Sequence, residues 1–127
     1  MPVALSFEEP STFCISTSGA VTFDEVERLI GDLEADPRLT CGIRVLVDAR
    51  AVSDVPTTSE LRTIAADLGR LVPRGMQRIA VVTESTFVYG IARMFAVFAD
   101  AVCITVHPFR CMSDATAWLA LPHDAAA

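Results

Sequence analysis

A chain of 127 residues suits one domain and is long enough to bury roughly two-thirds of the surface of the unfolded polymer. Its formal charge is −6 and all ten of its basic residues are Arg, scattered along the sequence, which excludes the basic stripe of a nucleic-acid or anionic-membrane binder. The longest apolar runs fall short of the ~20 residues that span a bilayer, and "MPVALSF" lacks the basic start and apolar core of a signal peptide, so the sequence reads as cytoplasmic.

Val3, Leu5 and Phe7 alternate on one side of a first strand, and Phe13, Ile15 and Thr17 on one side of a second. With Glu8-Glu9-Pro10-Ser11 turning between them, the pair is predicted to form an antiparallel hairpin. Thr22 and Glu25 then make a capping box, in which hydroxyl and carboxylate each satisfy the other's backbone N–H. Val26, Leu29, Ile30 and Leu33 follow at helical spacing until Asp36-Pro37 ends the helix.

The runs "IRVLV" at 43–47 and "RIAVV" at 78–82 are nearly continuous in apolar residues, as in parallel strands covered on both faces. They are predicted to lie side by side, or nearly so, in the middle of the sheet. Between them Thr57 and Glu60 form a second capping box, and Leu61, Ile64, Ala65, Leu68, Leu71 and Val72 mark one helix face, stopped by Pro73 and Gly75. A third helix is expected over about 86–100, a strand "VCITV" over 102–106, and a short helix opening at Ser113 and containing Trp118 and Leu119.

The order β-β-α-β-α-β-α-β-α describes an α/β domain over 1–121: a mixed sheet of four to five strands with helices packed on it, followed by a frayed tail at 122–127. Within this order "VLVDARAV", "RIAVVTES", "YGIARMF" and "DATAWLAL" together resemble the SpoIIAA-like, or STAS-like, family, and the resemblance runs over nearly the whole chain. It implies the fold of anti-sigma-factor antagonists and of the STAS domains of anion transporters, shared more distantly with lipid-carrying Sec14-type domains. It also implies a non-enzymatic regulatory or protein-interaction role.

In the antagonist branch a strand-terminal Asp precedes a loop carrying Asp-Ser-Ser-Gly, and a Ser at the start of the next helix accepts a phosphate. Asp48 matches the first position, Pro56 stands where the second Asp would be, Thr57 and Thr58 replace the serines, and Ser59 replaces the Gly. Asp48, Thr57, Thr58 and Ser59 are therefore the candidate phospho-acceptor or anion loop, since a helix N-terminus stabilises negative charge. The alternative is that Thr57 and Glu60 simply cap the helix, and that alternative carries more weight.

Other clusters point to ordinary structure. Asp48 and Asp54 have no neighbouring His and no ligand spacing, so no catalytic residue is assigned. Cys103 and His107 would share one face of a strand, but the Pro108 turn leaves the direction of Cys111 open, and no metal or other cofactor is expected. Cys14, Cys41, Cys103 and Cys111 contain no CxxC pair and are expected as buried free thiols.

The third helix has an apolar arc far wider than the ~100° needed to bury one face. Mean hydropathy is also high for the chain's size, at +0.45, so apolar surface is expected to be covered by a partner or a ligand. Two readings follow. In the first, Phe87, Tyr89, Ile91, Arg93 and Phe95 belong to an interface, with the chain itself as the partner in a homodimer and a regulatory protein as a further one. In the second, Phe87, Ile91 and Phe95 line a pocket for a small apolar anion such as a fatty acid, with Arg93 at its head group.

Overall fold

The alternating runs at the N-terminus pair as expected: β1 (Val3–Glu8) lies antiparallel to β2 (Thr12–Ala20), with Leu5 opposite Ile15 and Phe7 opposite Phe13. The computed structural model describes residues 3–8 and 12–121; the predicted turn and the tail after 121 fall outside the described residues. The remaining elements are α1 (Phe23–Ala35), β3 (Ile43–Asp54), α2 (Thr58–Leu68), a 3-10 turn (Gly69–Arg74), β4 (Met76–Val82), α3 (Thr86–Asp100), β5 (Thr105–Phe109) and α4 (Met112–Ala120). Both capping boxes form, Thr22 with Glu25 and Thr57 with Glu60.

The strands stand in sequence order, β1-β2-β3-β4-β5, and every pair after the first is parallel. β3 and β4 are central neighbours, as their apolar runs predict, with Val45 opposite Ile79 and Val47 opposite Val81. Each crossover steps the same way across the sheet, and right-handed crossovers of that kind put their helices on one face. Accordingly Phe13, Val45, Ile79 and Val106 of the sheet share a core with Ile30 and Leu33 of α1, Ile64 and Leu68 of α2 and Ala99 of α3. The second face carries a smaller cluster, where Ala80 and Val82 meet Ala115 and Leu119 of α4.

Three boundaries differ from the sequence reading. β3 does not end at Val47 but continues to Asp54, and beyond Asp48, where β4 stops, it pairs with β2 alone: Ala51 with Ser18, Val52 with Gly19 and Asp54 with Ala20. This overhanging ribbon lacks the apolar run of a covered strand, so it reads as loop. α2 stops at Leu68, and Leu71 is buried from the 3-10 turn that contains Pro73 instead of from a continuing helix.

The last strand is Thr105–Phe109, not 102–106: Cys103 sits in a turn with φ of 68° and Ile104 is fully buried on the way out of it. Pro108 lies inside β5, which is tolerated because an edge strand bonds to one neighbour only. Cys103 and His107 therefore do not share a strand face. All four cysteines are free thiols, but Cys14 is only half-buried and the other three are exposed, so the expectation of burial fails. Each of the three exposed ones lies in a turn or at a helix cap, where no apolar layer covers it.

Candidate functional site

Val47 and Val81 are opposite each other on the two central strands, on the face that carries three helices, yet both are only half-buried. The reason is a cavity of about 200 Å³ between that face and the helices, partly open to solvent. Its floor is Ile15, Thr17, Val45, Val47, Ala49 and Val81. Val26, Leu29 and Ile30 of α1 and Leu61 and Ile64 of α2 wall it, and Val88, Ile91, Ala92 and Phe95 of α3 close another side. The overhanging ribbon and its flanks add Val21, Val52, Val55 and Pro56.

Among the described residues Thr17 supplies the one polar side chain of that lining, and its Oγ1 donates to the backbone carbonyl of Asp48 at 2.8 Å. The described lining thus offers apolar surface and no acid, base or charged group. Such a site holds a guest by removing its apolar surface from water, worth about 25 cal/mol per Å².

The structure divides the predicted third-helix group. Ile91 and Phe95 line the cavity; Phe87 faces solvent with 57% of its surface exposed, and Arg93 is exposed as well. Tyr89 is half-buried, and the guanidinium of Arg110 stacks on its ring at 4.3 Å. The wide arc of α3 is real, and its surplus splits between the cavity and two residues that face solvent, Phe87 and, 68% exposed, Val97.

The predicted anion loop is also divided. Asp48 lies within β3, its register partner on β4 is Val82, and its carboxylate accepts from Nε, Nη2 and the backbone N–H of Arg50. Those hydrogen bonds hold the Asp48 carboxyl below its ordinary range, against the opposing effect of burial. Thr57 accepts the Glu60 N–H as helix cap, Thr58 contacts the sulfur of Met94 at 4.0 Å, and Ser59 is exposed. A cap of this type contributes about 1 kcal/mol. Asp54 lies six residues beyond Asp48 on the same strand, roughly 20 Å away at strand rise, so the two carboxylates do not form one site.

The sequence reading missed Val21, Val47, Val52, Val55 and Val81 as site residues. Their apolar character was plain, but a strand residue facing a cavity has the same period as one facing a packed helix.

The two helices that wall the cavity are joined by a carboxylic acid pair. Glu27 of α1 hydrogen-bonds Asp67 of α2, and that bond, then burial, then the Asp67 charge push the Glu27 carboxyl up from 4.5 to about 7, against the opposing charge of Arg70. Because the folded state holds this proton more tightly, its contribution to stability is complete below pH 4.5 and is lost as pH rises through about 7. Melting temperatures of the native chain and Glu27→Gln between pH 5 and 8 check this: the native chain should lose stability over that window relative to the variant. Parallel profiles would show that the pair is not linked to folding.

A family model described as SpoIIAA-like matches residues 12–120. No curated protein matches the chain, whereas five solved chains do. One is an uncharacterised protein of the DUF3478 family with a SpoIIAA-like fold from Shewanella loihica PV-4, 18% identical, with a TM-score of 0.63 over 92% of this chain and 91% of that one. The five-stranded mixed sheet and its helix order agree with that fold, and among the described residues no helix is long and apolar enough to cross a membrane. The match spans most of the sequence, and the chain belongs to the SpoIIAA-like family.

Proposed function

We propose that the chain is a non-enzymatic regulatory module that acts by taking a small apolar molecule into the cavity between its sheet and α1, α2 and α3. The observation that carries this reading is the half-buried Val47–Val81 pair at the centre of a sheet face covered by helices. Leaving apolar surface uncovered there forgoes packing that a fully filled core would have, and a guest restores it. Regulation follows from α3, which presents Ile91 and Phe95 to the guest and Phe87 and Val97 to the outside. A ligand that binds one position of that helix a hundred times more tightly than another shifts the balance between them by about 2.7 kcal/mol.

Val81→Leu tests the reading because it adds one carbon to the cavity floor. Cavity filling commonly adds about 0.5–2 kcal/mol, so the variant should melt at a higher temperature and bind toluene, used as a probe, more weakly. If the face were fully packed, the added carbon would instead destabilise by about 1–3 kcal/mol and toluene would bind neither protein.

The apolar residues that α3 leaves exposed support a second, compatible reading, a homodimer formed through Phe87 and Val97, which are 57% and 68% exposed. Sedimentation should then show a dimer that Phe87→Glu with Val97→Glu converts to monomer. A native chain that stays monomeric at high concentration would remove this reading and leave the cavity untouched.

A further inference from the structure

Resting on the cavity reading above, we infer that the guest is an uncharged aromatic molecule of one ring, not a fatty acid. Size, charge and the nature of the walls each lead there. A cavity of roughly 150 Å³ lined by Leu, Ile and Phe takes up benzene, about 25 Å³ per carbon. On that scale the 200 Å³ of this cavity holds about eight carbon atoms, half of what a sixteen-carbon acyl chain needs.

Charge is decided by what surrounds the space. Thr17, the one polar side chain of the described lining, already donates to the Asp48 carbonyl. Arg50 is engaged by the Asp48 carboxylate, Arg62 stacks on Phe98 at 5.0 Å, and Arg93 is exposed and not part of the lining. A carboxylate drawn into this lining would lose its hydration with no cation or donor in return, so an anionic guest gains nothing here over a neutral one. A polar substituent on a neutral guest would meet the same penalty in smaller measure.

The walls favour a ring. Phe95, half-buried on the cavity wall, contributes an aromatic face or edge, which interacts with an aromatic guest more favourably than with a saturated chain. The remaining lining is largely Val and Ile, whose β-branched side chains are stiff at χ1 and keep a fixed outline.

Methyl 1H–13C spectra of the full chain, titrated in parallel with toluene, naphthalene and decanoate, test the inference. Toluene should shift the methyl signals of Val47, Val81 and Ile91 in a saturable way, with naphthalene, larger than the cavity holds on this scale, and decanoate both at least tenfold weaker at the same methyls. Val81→Leu, or Ala92→Leu should the first variant fold poorly, should weaken the aromatic titration at least tenfold. Tighter binding of decanoate at those methyls would overturn the aromatic, uncharged class while leaving the apolar-ligand reading standing. No saturable shift with any of the three would overturn both.

Discussion

Replacing Arg78 with Ala should destabilise the chain by about 3 kcal/mol and undock its last helix. Arg78 is on β4, facing the second side of the sheet, and only 4% of its surface is exposed. Its two terminal nitrogens donate to the carbonyls of Trp118 at 3.1 Å and Leu121 at 2.8 Å. These are carbonyls at the C-terminal end of α4, where a cation is favoured, and that of Trp118 also accepts the Leu121 backbone N–H at 3.2 Å. Burial, and then the like charge of Arg44, press the Arg78 pKa downward, and the two hydrogen bonds together with the Trp118 ring at 5.6 Å offset that cost. Trp118 is the chain's sole tryptophan, so its fluorescence reports this helix directly: emission should move to the red in Arg78→Ala. Arg78→Lys should recover only part of the loss, because a point charge does not span two carbonyls as a guanidinium fork does. An unchanged spectrum and melting temperature in Arg78→Ala would contradict this account of how α4 is held.

Gly75→Ala should be at least as damaging, about 3 kcal/mol or more. Gly75 leads into β4 with φ of 120°, where a side chain is strained, and an added Cβ would stand 2.1 Å from the backbone oxygen of Thr40 and 2.5 Å from the nitrogen of Cys41. That contact seats the turn before β3 against the start of β4, so relief of the clash must separate the two central strands. Gly42 separates strain from clash: its φ is 85° but nothing lies within 4 Å of its Cβ position. Gly42→Ala should cost about 1 kcal/mol, the lower end for backbone strain alone. Equal losses at the two positions in chemical denaturation would show that the clash adds nothing.

The fold was legible wherever local chemistry and period agreed. The two capping boxes placed the starts of α1 and α2, the apolar runs placed β3 and β4 side by side, and α3 came out at its observed ends. It was illegible where apolar content and secondary structure part company. Val102 and Ile104 are apolar because a turn buries them, not because they begin a strand, and the ribbon after Asp48 is a strand whose half-exposed sequence resembles a loop.

The candidate site was harder still. Asp48 and Thr57 looked like neighbours in a switch loop, but six more strand residues after Asp48 carry the chain away before α2 begins. Arg93 looked like a head-group partner for a pocket, yet it lies two positions from both Ile91 and Phe95, about 200° around the helix, and so points away from the cavity they line. Whether Val47 and Val81 pack against a helix or face a space depends on how far α1, α2 and α3 stand from the sheet, a distance no pattern of residue types encodes.

Xenon under pressure measures that space directly, since it enters apolar cavities without a specific chemical group. Diffraction from crystals of the native chain exposed to xenon should show an ordered atom in contact with Val47, Val81 and Phe95, and the same experiment on Val81→Leu should show reduced occupancy there. Native crystals with no xenon between the sheet and the three helices would contradict the claim that this chain is built around a ligand cavity.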